Sequence, residues 1–109
     1  MDANELIELC GTDEVAPGEM RRVEPPGCGP LAVYNVGGTH YVTSDTCTHG
    51  EASLADDGTL QGHVVECGWH YGAFDVRTGA VTASPCEVAL RAYPVVIRGG
   101  KVCIRAAPG

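Results

Sequence analysis

The chain has 109 residues, a net charge of −7 and 44% hydrophobic residues. That length supports one domain with a modest core and excludes a core plus a separate catalytic domain. The negative charge argues against nucleic acid as a partner; it either favours a basic or mixed protein surface or serves solubility alone. Fifteen glycines and seven prolines suit a turn-rich β protein better than a helical one. The segment Met1-Asp2-Ala3-Asn4-Glu5 lacks the basic residues and apolar run of a secretory signal. No apolar stretch approaches the roughly 18 residues that cross a membrane. A cytoplasmic protein with no membrane partner is therefore expected. Without an export signal, six cysteines point to a metal site for some of them before a disulfide framework.

Leu6-Ile7-Glu8-Leu9-Cys10 is a plausible first strand, ended by Gly11-Thr12-Asp13. Asp13 to Gly18 reads as a turn closed by Pro17-Gly18. Glu19 to Val23 is a short extended run, and Glu24 to Pro30 is a loop too rich in proline to hold a ladder. Leu31 to Val36 and His40 to Thr43 flank Gly37-Gly38, a strong hairpin signal because both positions tolerate positive φ. The second arm of that hairpin runs into Cys47. Asp56-Asp57-Gly58-Thr59-Leu60 reads as a polar turn, and His63 to Glu66 as a strand leading into Cys67. Ala73 to Val76 forms another strand, followed by a tight turn over Arg77-Thr78-Gly79-Ala80. Pro85 opens a loop. Tyr93 to Ile97 then pairs with Lys101 to Arg105 across Gly99-Gly100. No window of a dozen residues keeps a helical period, so the expected class is all-β, a small sandwich or barrel of antiparallel sheets.

Two Cys-His pairs stand out. Cys47-Thr48-His49 is followed, seventeen residues later, by Cys67-Gly68-Trp69-His70. Each pair follows a predicted strand on its own loop, so the two can converge on one metal centre. Two chemistries take such a donor set: zinc, which binds two Cys and two His, and a [2Fe–2S] cluster with thiolates on one iron and imidazoles on the other. Zinc pairs more often space their histidines by three to five residues, whereas here each loop mixes one thiolate with one imidazole. In the cluster, two ferric ions, two sulfides and two thiolates sum to a neutral oxidised centre, which four thiolates would make doubly negative. A neutral centre accepts an electron more readily, raising the potential to roughly −150 to +300 mV.

The pattern Cys-x-His and Cys-x-x-His resembles the cluster motif of the Rieske proteins. The resemblance covers most of the chain. Cys47-Thr48-His49-Gly50, Val64-Val65-Glu66-Cys67 with His70, and Phe74-Asp75-Val76-Arg77-Thr78-Gly79 are similar to the ferredoxin components of bacterial aromatic-ring-hydroxylating dioxygenase systems, such as those for biphenyl and toluene. Ser84-Pro85-Cys86-Glu87 and Tyr93-Pro94-Val95-Val96-Ile97 match the same family. The resemblance implies a single Rieske domain over 1–109 with a cluster-binding subdomain of two loops at one tip, approximately 45–86. It implies one [2Fe–2S] cluster per chain, held by Cys47, His49, Cys67 and His70, with no catalytic residues. Its partners would be an NAD(P)H-dependent flavoprotein reductase and a terminal oxygenase, the latter holding the aromatic substrate. The carrier itself is expected to be a monomer. Respiratory and photosynthetic Rieske proteins carry an extra cysteine in each loop, where this chain has Ala52 and Trp69. They also place Ser and Tyr hydroxyls near the cluster, at positions occupied here by Gly72 and Phe74. Fewer donors to the sulfurs imply a potential at the low end of the Rieske range. A subunit of another redox enzyme and a zinc-stabilised interaction module remain as alternatives.

The remaining residues carry weaker expectations. His40 and His63, on predicted strands, are expected to be structural. Trp69 either shields the cluster or serves as a docking contact. Pro85 shapes the covering loop, Cys86 is a non-ligand, and Cys10, Cys28 and Cys103 are free thiols, with a disulfide among them left open. Asp45, Glu51, Asp56, Asp57 and Glu66 place negative charge around the loops, as an acidic rim or as a solvated surface.

Overall fold

In the computed structural model, which describes residues 6–27, 29–47, 52–68, 72–83 and 88–105, one strand has almost no solvent-facing side. This is β3 (Leu31–Val36), buried at every position from Leu31 to Asn35. Its alternation sorts residues between two cores rather than between core and water. Leu31 and Val33 join one cluster with Cys10, Val15, Val42, Val102 and Ile104. Ala32 and Tyr34 face the opposite way, into a second cluster with Leu54, Val65, Phe74, Val76 and both Cys47 and Cys67.

Three antiparallel sheets surround β3. It pairs with β2 (Met20–Val23) and β4 (Thr39–Ser44), and β4 pairs in turn with β9 (Ala92–Tyr93). The first cluster is covered by β1 (Leu6–Gly11), β11 (Lys101–Arg105) and β10 (Val95–Arg98), in the order β1-β11-β10. The second is covered by the meander β5 (Thr59–Gln61), β6 (Val64–Glu66), β7 (Ala73–Asp75) and β8 (Val81–Ala83). The all-β expectation holds, and the described helices amount to one 3-10 turn (Thr12–Glu14) and one short helix, α1 (Leu54–Asp57).

Both expected Gly-Gly hairpins form. Val36 pairs with Thr39 across Gly37-Gly38, where φ is 60° and 96°, and Arg98 pairs with Lys101 across Gly99-Gly100. Two-residue turns of this kind match the twist of the strands they join. Two expectations are corrected. The strand expected over Tyr93 to Ile97 is two strands in different sheets: β9 bonds to β4, then Pro94, which has no N–H to give a ladder, marks the crossing to β10. The polar turn expected over Asp56 to Leu60 is instead the end of α1 followed by β5, whose two-residue link to β6 is Gly62-His63.

Cys10 and Cys103 are buried, unbridged thiols on β1 and β11, and burial pushes both above the ordinary thiol range. Cys28 lies outside the described residues. His40 and His63, expected to be structural, each make a contact within the fold. A ring nitrogen of His40 lies 3.3 Å from the Thr12 carbonyl, and His63 meets the Tyr41 ring edge-on at 5.7 Å.

One glycine ties the β5–β8 meander to the segment beyond residues 84–87. Gly79 donates its N–H to the Asp75 carbonyl at 2.7 Å and accepts the Leu90 N–H at 2.8 Å. Its φ is +81°, and a Cβ there would overlap the Leu90 carbonyl oxygen. Gly79→Ala is therefore expected to cost about 2 kcal/mol or more, from left-handed strain plus a backbone clash. Gly99→Ala, with open space around it, bears only the strain, about 1 kcal/mol. Thermal unfolding of the two variants should rank Gly79→Ala well below Gly99→Ala; equal melting temperatures would refute the close approach.

Candidate metal centre

The two expected ligand loops share one backbone closure. Cys47 donates its N–H to the Ala52 carbonyl at 2.9 Å, and Cys67 donates its N–H to the Gly72 carbonyl at 2.7 Å. In each loop the cysteine is thus bonded to the residue five positions on, so each turn begins at its thiol. Of the positions enclosed, 48–51 and 69–71, His49, Glu51, Trp69 and His70 among them, lie outside the described residues, as do Pro85 and Cys86, whereas Gly68 is described. What the fold does bring together is the cysteine pair. Each is 1% exposed, and both belong to the apolar cluster that holds Ala52, Leu54, Val65 and Phe74.

The first loop is braced by a buried carboxylate. Asp45, 1% exposed, accepts the Ser53 hydroxyl at 2.6 Å and the Ala55 N–H at 2.9 Å, and its side chain pairs with Arg22 at 3.2 Å. Its backbone joins in: Asp45 N–H donates to the Pro30 carbonyl at 3.1 Å, and its carbonyl accepts the Leu54 N–H at 2.8 Å. Ser53 in turn caps α1 by accepting the Asp56 N–H at 3.1 Å. For Asp45 alone this corrects the sequence reading, which left it as part of an acidic rim or of a solvated surface. Asp45 is a buried strut, whereas Asp56, Asp57 and Glu66 are exposed. The run Ser53-Leu54-Ala55-Asp56 has the spacing of a helix cap, a signal present in the sequence for this missed element.

Beside the thiols, Tyr34 and Thr43 satisfy each other at 2.8 Å, and Thr43 donates to the Ser44 carbonyl at 2.9 Å. Thr43 being committed as a donor, the Tyr34 hydroxyl donates to it. Burial holds that hydroxyl well above its ordinary pKa and therefore neutral. Phe74, completely buried, contributes a ring without a hydroxyl to the cluster containing the two cysteines.

Two thiols buried in one apolar cluster, at the start of two matching loops on a small β scaffold, fit a thiolate-held metal centre. Such a pocket disfavours net charge, which suits a centre that two thiolates and two neutral imidazoles leave uncharged when oxidised. The comparisons with known proteins agree. The Rieske [2Fe–2S] domain family matches residues 5–94. The chain is 50% identical to the ferredoxin component of the p-cumate 2,3-dioxygenase system of Pseudomonas putida, over 95% of this chain and 88% of that one. It superposes on the ferredoxin of Sphingomonas yanoikuyae B1 with a TM-score of 0.90 at 43% identity, covering 94% of this chain and 100% of the other. A chain from the solved complex of reduced oxygenase and oxidized ferredoxin in carbazole 1,9a-dioxygenase matches with a TM-score of 0.86 at 46% identity, covering 94% of each.

The chain belongs to the Rieske [2Fe–2S] family, among the ferredoxin components of aromatic-ring dioxygenase systems. It is an electron carrier of the Rieske type and not an oxygenase. The zinc module and the subunit of another redox enzyme, both left open by the sequence, give way to this assignment. Among the described residues, no helix is long and apolar enough to cross a membrane.

The brace yields a direct expectation. Asp45→Asn keeps the shape but removes the charge that Arg22 pairs with and turns one acceptor oxygen into a donor. A loss of about 2–4 kcal/mol is expected, because a buried polar network is left half satisfied. As the brace adjoins Cys47, visible absorbance from the bound cluster should bleach at a lower temperature than in the parent protein. Bleaching at an unchanged temperature would show that Asp45 does not support the loop.

Proposed function

We infer that Cys47 and Cys67 hold one iron of the cluster through their thiolates and that His49 and His70 hold the other through imidazole nitrogens. What supports this most directly is the pair of matching loop closures that bury both thiols in one apolar pocket. When bound, the cluster takes up and releases one electron at a time. The chain's residues keep water from the thiolates and fix the loop ends, so the electron moves with little change of geometry. Phe74 offers no hydroxyl and Gly72 no side chain, which supports a potential toward the low end of roughly −150 to +300 mV.

In this reading the 109 residues form one Rieske domain with its cluster-binding subdomain over about 45–86. The protein works in the cytoplasm as a monomer. It receives electrons singly from an NAD(P)H-dependent flavoprotein reductase and passes them to a terminal oxygenase. The solved carbazole 1,9a-dioxygenase complex, which pairs an oxygenase with a ferredoxin, supports the second partner. Pro85 shapes the loop over the cluster, and Cys86 stays outside the ligand set.

Iron and acid-labile sulfide assays test the ligand assignment, with electron paramagnetic resonance after dithionite reduction. Two irons and two sulfides per chain with a Rieske-type signal are expected, and a redox titration should place the midpoint low in the family range. His49→Ala and His70→Ala should each abolish the signal; a full Rieske signal in either variant would overturn that ligand.

Asp56, Asp57 and Glu66 stand exposed on α1 and β6, beside the ligand loops, and support an acidic surface that meets basic residues on a partner. Reduction by the reductase, and re-oxidation by the oxygenase, should then slow as ionic strength rises from about 0.01 to 0.15 M, since screening shortens the reach of such charges. A rate independent of salt would leave these residues as ordinary solvated surface.

A further inference from the structure

Between the two ligand loops the chain runs through α1 and the β5–β6 hairpin, and the ends of α1 bear on both loops. At its start, α1 is fixed to the first loop. Asp45, two residues before Cys47, accepts hydrogen bonds from Ser53, Leu54 and Ala55, one of them through its backbone carbonyl. Thr46 forms an isolated antiparallel bridge with Ser53. At its end, α1 abuts the second loop. The Gly58 N–H closes the helix on the Leu54 carbonyl at 2.9 Å, and a Cβ on Gly58 would come within 2.5 Å of that same carbonyl oxygen and within 2.8 Å of the Glu66 carbonyl oxygen. One step further, a Cβ on Gly68 would overlap the carbonyl oxygen of Asp57. Gly68 follows Cys67 directly.

These contacts at the second end are backbone against backbone, so no rotamer change relieves them. A four-residue helix is about 6 Å long, stiff on that scale, and anchored at the first loop by three hydrogen bonds. Gly68 is not among the glycines with positive φ. The need for glycine at this position therefore comes from space, not from backbone conformation. Whatever intrudes between Asp57 and Gly68 must move one loop relative to the other.

We propose that α1 is the spacer that fixes the separation of the two ligand loops, with Gly58 and Gly68 as positioning residues that let it close against the second loop. The proposal rests on the ligand assignment above. Added bulk at position 68 displaces Cys67 relative to Cys47, and the strain falls on the cluster's environment before it falls on the sheets. Ser53→Ala unties the opposite end of the same spacer and adds no atoms.

The test compares the holoprotein with Gly68→Ala, Ser53→Ala and Gly99→Ala, the last a turn glycine on the β10–β11 hairpin with no atom within 4 Å of its would-be Cβ. Iron content, the g-values of the reduced cluster and the midpoint potential are read well below the melting temperature. Gly68→Ala is expected to shift the g-values and the potential, or to lose iron. Ser53→Ala should shift the g-values in loaded protein. Gly99→Ala should keep the parental values despite its own loss of melting temperature. Parental g-values and potential in Gly68→Ala overturn the proposal. If Gly68→Ala yields no folded protein, parental values in Ser53→Ala overturn it equally. Parent protein that itself lacks iron and sulfide would instead refute the underlying ligand assignment, a separate failure.

Discussion

A carboxylate without solvent is tolerable only if both its oxygens are engaged, and Asp45 is such a group: Oδ2 takes Ser53 and Arg22, and Oδ1 takes Ala55. Its partners come from two elements: Arg22 on β2, and the start of α1 through the Ser53 cap and the Ala55 backbone. Removing any one leaves charge or acceptor capacity stranded where water cannot follow. The cost of the unsatisfied alternative is thus what specifies the path of the first ligand loop. Arg22 keeps one side in solvent, and its Glu24 contact at 2.6 Å helps hold the guanidinium in place. The pair is not an isolated buried ion pair, whose desolvation would cancel its attraction.

The second requirement is a dry, uncharged setting for the thiols. β3 meets it by having no outward face: one row of its side chains closes the core under the β1-β11-β10 sheet, and the other lines the cluster with both cysteines. Fully burying a side chain the size of Leu31 contributes roughly 1.5–3 kcal/mol, so the strand is strongly held in register. A one-residue slip would exchange the two rows, setting Tyr34 against the aliphatic core and away from Thr43. The Tyr34–Thr43 pair therefore serves as a register lock close to the site, since a buried hydroxyl left unmatched is costly. Electron transfer gains from this rigidity because a framework that does not move adds little to the barrier.

Much of this was legible in the sequence, and for identifiable reasons. The ligand motif is local and chemically specific, and the Gly-Gly hairpins announce themselves because few other residues accept positive φ twice in succession. What escaped was non-local or too short. α1 has four residues, less than any periodicity can report, although its Ser-x-x-Asp cap was there to be seen. Asp45 looked like one more acid near a loop, because its burial depends on Arg22, which lies on another strand and far back in the chain. The division of Tyr93 to Ile97 between two sheets turned on Pro94, whose missing N–H is a one-residue signal inside an otherwise continuous apolar run.

Glycine usage near the site follows the same logic of contact over propensity. Gly37, Gly38, Gly99 and Gly100 are glycine because of the turn, and open space surrounds them. Gly58 and Gly68 are glycine because another backbone occupies the place a Cβ would take, and Gly79 meets both conditions. The turn glycines lie on hairpins, where a substitution strains one residue locally. The contact glycines lie where the helix meets the second loop and where the meander meets Leu90, so a substitution must displace a second segment. The same residue type thus marks tight turns of the sheet in one place and fixed separations in another, and two of the three fixed separations, at Gly58 and Gly68, lie where α1 meets the Cys67 loop.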